Sequence, residues 1–318
     1  MQAGAVTLGH VFAYDHQNII PLFQRPYVWS EERNWLPLWL DIKQAAEEVE
    51  RDSDQQTYAG QAAHRTYFLG AMVLQHRPKP PASVYLWNVV DGQQRLTTLQ
   101  VLIAAARSAA ITFGSPSLAA NFASMIENKK EAIHPDFPDD LYKVWPLPQD
   151  RKAFLWAVSA SDGRGPSPDS EHRITKAREW FEESIGDWAK ESLNAETRLY
   201  HLLETLKNRM QLVQIILDVN DDPQVIFEVL NHRGVPLDAA DLVKNLLFQQ
   251  FEIGGKPKFA DDLLLNVWGD LDHLKPWREE VTTGRFKRKR IDVLLSYWLT
   301  IETGKEVVIE HLFADFKA

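Results

Sequence analysis

There is no cysteine in the chain. That excludes disulfides, cysteine-ligated zinc and thiol catalysis, and it fits a reducing compartment. No apolar run approaches the roughly 20 residues that a membrane-spanning helix needs. The opening residues, MQAGAVTLGH, lack the basic start and apolar stretch of a signal peptide. The expectation is a cytoplasmic protein with no membrane partner. Positive charge is scarce too: 35 Lys and Arg against 44 Asp and Glu leave a net charge of −9. A surface that is basic all over is excluded, so any nucleic-acid contact has to be a local patch. Internal repeats and the G-x-x-x-x-G-K-[ST] phosphate loop are also missing.

What is present belongs to an ordinary globular protein. A hydrophobic fraction of 45% and a charged fraction of 25% support a sizeable core, and 318 residues leave room for two domains. Eleven tryptophans are many, and several fall where helical spacing buries them.

The first 112 residues read as a mixed α/β domain. NIIPLFQRPYVW (18–29) is extended, because Pro21 and Pro26 do not suit a helix interior. Ser30 is a plausible N-cap for a helix whose Trp35, Leu38, Trp39, Ile42, Ala46 and Val49 form one apolar stripe. The β-branched and aromatic runs at 66–74 and 84–90 predict strands, with a proline-rich loop between them. A helix follows, with Leu96, Leu99, Leu102, Ile103 and Ala106 on its buried face.

From 113 to 318 a mostly helical domain is expected, with a loose segment at 159–172, helices over 173–190 and 196–208, and a strand at 211–219. Asp222 and Pro223 start a further helix that Gly234 stops, and Asp238 caps the next. The helical stretch FADFKA comes last without a closing feature, as in a piece of something longer.

Three clusters carry chemistry. In NVVDGQQRLTTLQ (88–100) a strand meets a helix at Asp91, Gly92, Gln93, Gln94 and Arg95. A helix start offers unpaired N–H groups and the positive end of a dipole, which suits phosphate. Gly92 permits close approach, Arg95 can fork onto phosphate oxygens, and Asp91 is a candidate ligand for Mg²⁺. Gln93 and Gln94 are placed to orient a ribose, a base or an attacking water. Alternatively Asp91 merely caps the helix, Arg95 pairs with it, and the glutamines face water.

The second cluster sets Gln24 and Arg25 among Phe23, Pro26 and Tyr27, flat apolar groups beside a cation. A surface loop whose aromatics tuck into the core has the same composition. The third is FEVLNHRGVPLDAADLVKN (227–245), where Asn231 and Arg233 precede a glycine while Asp241 and Lys244 share a helix face. It reads either as further phosphate and metal contacts or as a helix junction with ordinary caps. RFKRKR puts five cations, Arg285, Lys287, Arg288, Lys289 and Arg290, into six residues. It is either a backbone-binding patch for nucleic acid or a solvated loop.

Together these stretches resemble the DGQQR family, the N-terminal domain of GmrSD-type modification-dependent restriction enzymes and of the phosphorothioate-dependent restriction factor SspE. The family pattern runs I-P-x-[YF]-Q-R-x-Y-x-W, F-L-G, D-G-Q-Q-R-L-T-T-L and F-x-x-L-N-x-R-G-x-x-L-x-x-x-D-L-[IV]-K-N. Here it appears as Ile20 to Trp29, FLG at 68–70, 91–99 and 227–245. Phe23 stands where many relatives have tyrosine.

The resemblance implies an α+β chain, a ParB/sulfiredoxin-like nucleotide-binding domain over 1–112 followed by a helical extension. It implies an anti-phage sensor that binds and hydrolyses a nucleoside triphosphate, with GTP expected, and that responds to modified double-stranded DNA. Asp91, Gln93, Gln94 and Arg95 are then the catalytic set. Gly92, Asn231, Arg233, Asp241 and Lys244 bind nucleotide, and Phe23 to Tyr27 sense the modification. Relatives continue into a His-Asn-His nuclease domain. No convincing version of that motif occurs here, and nuclease activity is not expected of these residues.

A phosphorothioate sulfur is larger and less well hydrated than oxygen. It favours an apolar pocket beside a cation, as Phe23, Pro26 and Tyr27 beside Arg25 suggest. A modified cytosine needs hydrogen-bonding groups around a flipped base. Phosphorothioate is the preferred expectation. The other readings are a sensor of modified cytosine, a non-enzymatic ParB-like DNA-binding module in which nucleotide is only a switch, and, on fold analogy alone, a protein phosphotransferase.

Overall fold

Runs of β-branched and aromatic residues set up a mixed sheet. In the computed structural model the described residues are 1–54, 65–79, 81–159, 165–218, 221, 226, 239–253, 257–273, 275–283 and 286–317. Six strands form one sheet: β1 (Gln2–Thr7), β2 (His16–Ile19), β3 (Tyr67–Arg77), β4 (Tyr85–Asp91), β5 (Val144–Trp145) and β6 (Met210–Leu217). Their order is β1-β6-β3-β4-β2-β5. β6 runs antiparallel to β1 and parallel to β3. β4 runs antiparallel to β3 and parallel to β2, which is parallel to β5. With helices α1 (Leu8–Val11), α2 (Leu36–Asp54), α3 (Gln93–Thr112), α4 (Pro116–Ala123), α5 (Pro148–Val158), α6 (Arg173–Lys190) and α7 (Ala195–Glu204), the class is α+β.

The strands expected at 66–74, 84–90 and 211–219 are β3, β4 and β6. Of the stripe expected on this helix, Trp35 in the turn before α2 and Trp39, Ile42, Ala46 and Val49 on it are buried, and Leu38 is half-buried. Trp39 meets Trp188 of α6 edge to face, with centroids 5.6 Å apart. Ser30 does take the N-cap position, but its side chain makes no cap hydrogen bond; its carbonyl accepts from Asn34 and Trp35 through a single π-turn.

α3 departs from the expected one-sided helix. Every residue from Leu96 to Ala110 is buried. Its polar residues are therefore anchored internally. Arg107 reaches Glu127 (2.8 Å) and the carbonyl of Val158 (2.6 Å). Arg178 of α6, fully buried, donates to Ser108 Oγ (2.6 Å) and the carbonyl of Ala157 (2.7 Å) and pairs with Glu182 (2.9 Å). Buried charge is tolerated because it is paired and hydrogen-bonded.

The chain divides into two compact units, one of Met1–Ile20, Pro26–Pro146 and Asp150–Asp221, the other of Pro21–Arg25, Leu147–Gln149 and Asp222–Ala318. The boundary expected at 112/113 does not coincide with this division, because β6 enters the sheet between β1 and β3. The second unit contains helices Ala239–Ile253, Pro257–Leu263 and Arg290–Thr303, the last stopped by Gly304 at φ 66°. Strands Glu280–Thr283 and Phe286–Lys289 pair antiparallel, and a short helix spans Leu312–Lys317 where FADFKA is. The helix expected from Asp222 to Gly234, the cap at Asp238 and residues 160–164 of the loose 159–172 segment lie outside the described residues. Among the described residues no helix is long and apolar enough to cross a membrane.

Candidate functional site

β4 ends on Asp91 and α3 begins at Gln93, so a single residue turns the strand into the helix. That residue is Gly92, at φ 96° and ψ 7°, a left-handed conformation that an L side chain adopts only at a cost. A Cβ there would also lie 3.2 Å from the carbonyl oxygen of Ala71. No side chain caps α3. The expectation that Asp91 merely caps the helix therefore fails, since the left-handed glycine puts the N-cap one residue later. Among the described residues the Asp91 carboxylate has no hydrogen bond and no ion pair within 4 Å.

Arg95 is half-buried and reaches back to β3, where Nη1 donates to the carbonyl of Ala71 (2.5 Å). Gly70, at φ 101° in a register shift of β3, makes the seat: a Cβ there would sit 2.6 Å from Arg95 Nη2. The glycine of FLG is thus explained by the arginine of DGQQR. Burial works against the guanidinium charge and draws its pKa below the ordinary value, and the Asp91 carboxylate partly offsets this. Among the described residues Arg95 forms no ion pair, so it keeps most of its five donors.

Gln94 does something else. Its Nε2 donates to the carbonyl of Pro26 (2.9 Å), and its Oε1 accepts from the N–H of Val28 (2.8 Å). Both ends of the amide are engaged by backbone, which leaves it a positioning role. The same stretch is held by Asp150, which accepts from the Tyr27 N–H (3.0 Å), and by Arg173, which donates to the Val28 carbonyl (2.6 Å). The Tyr27 ring is buried. Thr98 donates to the carbonyl of Gln94 (2.7 Å), so Tyr27 must donate to Thr98 (2.7 Å) while accepting from Trp35 Nε1 (2.9 Å). Burial pushes the Tyr27 phenol upward, and it stays protonated.

In the second unit, Arg25 lies 3.4 Å from Asp241. Asp241 also pairs with Arg278 (3.0 Å), Arg278 with Asp272, and Asp272 with Lys244 (2.5 Å). Asp241, Lys244 and Asp272 are almost wholly buried. Burial disfavours the Asp272 carboxylate, yet Lys244 and Arg278 hold its pKa below the ordinary range. The helix start is fastened by Asp292, which accepts from the N–H of Ala240 (2.8 Å). Arg25 of the first motif stretch and Asp241 of the last are therefore joined by an ion pair.

A family model, the GmrSD restriction endonuclease N-terminal domain, matches residues 8–248. The chain belongs to that family. It is a restriction-type, anti-phage family. No curated protein matches the chain.

The GmrSD N-terminal span contains Gly70, Asp91 to Arg95, Tyr27, Arg25, Asp241 and Lys244, but not Asp272 or Arg278. Those two complete the charged network, and nothing in their local sequence marks them. Other residues differ from expectation. Tyr27 and Gln24 are buried, and Tyr27 belongs to the core instead of lining an open pocket. Phe23 and Pro26 are half-buried. Asn231, Arg233 and Arg285 lie outside the described residues. The basic run is a hairpin strand and not a loop: Lys289 stands opposite Glu280, Arg288 pairs with Glu310, and Arg290 lies 3.8 Å from Glu279. Lys287 is exposed. Sequence reasoning missed Gly70, Thr98, Asp150, Asp272 and Arg278. Only Gly70, a glycine inside an apolar strand, carries a local signal.

Proposed function

We propose that this GmrSD-family chain is the nucleotide-hydrolysing sensor of a restriction system, and that the β4–α3 turn is its nucleoside triphosphate site, with GTP as the nucleotide. One observation carries this: Asp91 and Arg95 flank a helix start without a side-chain cap, and most of their bonding capacity is unused. The first-turn N–H groups of α3 and the Arg95 fork receive phosphate oxygens. Asp91 fits a Mg²⁺ carried in on the triphosphate, since that ion is commonly held by one or two carboxylates plus phosphate oxygens and water. Bound there, Mg²⁺ would offset phosphate charge. Gln93 orients the water whose oxygen forms the new bond to the γ-phosphorus as the bond to the β-phosphate oxygen breaks. Such chemistry is mainly positioning and electrostatics.

Double-stranded DNA, phosphorothioate-modified in our reading, is sensed at Phe23, Arg25 and Pro26, which unlike Gln24 are only half-buried. Lys287 to Arg290 contact its backbone, and Arg25 senses from an ion pair that Asp241 holds in place. Gln94 supplies the coupling, because it ties Pro26 and Val28, next in the chain, to the first turn of α3. A ParB/sulfiredoxin-like ancestry for the first unit belongs to the same proposal.

The test is phosphate release from GTP, ATP, CTP and UTP with Mg²⁺, without DNA and with plain or phosphorothioate duplex. Turnover should require Arg95 and respond to modified duplex, and Gln94→Ala should keep basal turnover while losing the response. Turnover untouched in Arg95→Ala would move the site elsewhere.

A further inference from the structure

A second feature lies in the first unit, away from any motif. Lys143, just before β5, is about 1% exposed. Its Nζ donates to the carbonyl of Tyr14 (2.7 Å) and to Asn128 Oδ1 (2.8 Å). Asn128 is fixed in turn, since its amide nitrogen donates to the carbonyls of His16 and Asp140, both at 2.8 Å. An ammonium has three hydrogens, and two are engaged. Among the described residues no carboxylate lies within 4 Å of it.

Lys143 lines a cavity of about 600 Å³ whose wall also includes Lys129 and Lys207. The Lys207 Nζ reaches only the neutral Asn121 amide oxygen (3.2 Å), and the Lys129 ammonium has no partner among the described residues. Of the acids on the wall, Glu127 pairs with Arg107 (2.8 Å), while Asp15 accepts from the backbone N–H of Lys129 (3.0 Å) and supports the Lys143 charge from beyond ion-pair distance. Three lysines with no carboxylate within 4 Å among the described residues thus line one cavity in a chain of net charge −9. Burial draws Lys143 down to about 8, and the Asp15 carboxylate offsets this only in part.

We propose that this cavity binds a phosphoryl group, on a free phosphate compound or on a nucleic-acid backbone, through Lys129, Lys143 and Lys207. Lysine acts on phosphate as a point charge and needs no planar match. A doubly charged anion balances several ammonium groups where a carboxylate balances one. The cavity lies within the usual size of ligand sites. The Gly9 backbone helps fix the wall, since a Cβ there would stand 2.6 Å from the Lys207 carbonyl oxygen.

The experiment uses the full chain carrying Arg95→Ala, so that the β4–α3 turn does not contribute. Inorganic phosphate, pyrophosphate and an unmodified duplex are titrated by calorimetry at constant ionic strength. The partner variants are Lys129→Gln/Lys207→Gln, Lys143→Met, and Lys176→Gln/Lys190→Gln as a lysine control outside the cavity. Saturable binding weakened tenfold or more by the cavity pair and unchanged by the control supports the proposal. Binding of the small ions identifies a free phosphate compound. Binding of duplex alone, with a salt slope reduced by about two in the cavity pair, identifies the backbone. Equal binding by the cavity pair and the control, or no saturable binding, overturns it. If Lys143→Met fails to fold, the surface pair still decides.

Discussion

Asp91 and Arg95 flank a helix start and leave most of their bonding capacity unused, whereas Asp241 and Lys244, from the far end of the family pattern, are taken up by buried ion pairs. Both regions set an aspartate beside a basic residue. Among the described residues the Asp91 carboxylate accepts no hydrogen bond, and the Arg95 guanidinium donates to one carbonyl. Asp272 by contrast receives both Lys244 and Arg278. Ionisable groups held half-buried without partners mark a place where a ligand completes the electrostatics. Groups paired and buried mark a place where removing one member strands another. The difference separates chemistry from architecture within a single motif set.

The sharpest way to break this contrast is at Arg95. Arg95→Ala should lower nucleotide turnover by about 10³ or more, by analogy with arginines that act on a transferring phosphoryl group. It should barely move the thermal melt, because only one hydrogen bond is lost. Asp272→Ala should do the opposite. It leaves Lys244 and Arg278 without their shared partner and should cost about 3–5 kcal/mol in urea unfolding, with turnover per folded molecule unchanged. A cost below about 1 kcal/mol would sink the claim that the network is structural.

His16 tests a third state, a buried group kept neutral. Burial first, and then the Lys143 charge, lower its pKa from 6.5 to about 4. The unfolded chain therefore takes up the proton first on acidification. Stability from this group is complete above about pH 6.5, declines as pH falls towards 4, and is lost below that, a span on the order of 3 kcal/mol. Unfolding free energies of His16→Gln measured from pH 7 to 4 should lack that slope, and an identical slope would refute the assignment. The smallest effect is expected at Gly70. Gly70→Ala meets a positive φ and the Arg95 guanidinium, and should cost about 1–3 kcal/mol of stability. Its turnover should fall by a larger factor than its melt implies, since Arg95 has to move.

The strand-glycine-helix junction at 88–106 was legible because each part has a local signature: apolar strand, glycine, helical periodicity. So were β3, β6 and the α2 stripe. β1 was not, because QAGAVT lacks the alternation of a half-buried strand, and neither was β2, whose HQNI is polar yet almost wholly buried. α3 looked one-sided because alanines fill its other faces, and their small volume gives little hydrophobic contrast. Phe23 to Tyr27 looked like one pocket because composition does not give side-chain direction. The stretch is not extended as expected but turns at Leu22 to Gln24, where the Gln24 N–H donates to the Pro21 carbonyl (3.0 Å), and Tyr27 points inward to Thr98. The partners of Asp241 and Lys244 were invisible, since a salt bridge across some thirty residues leaves no spacing to read.

The strand order has a consequence for synthesis. β6, between β1 and β3, comes from Met210–Leu217, so the sheet is incomplete until more than two hundred residues have left the ribosome. Until then β1 has no neighbour and β3 has one open edge, each a template for pairing with another chain. Late closure of such a distant contact predicts slow folding. A nascent or truncated chain that ends before β6 should be handed to chaperones or aggregate, and expression of residues 1–112 alone should yield insoluble material.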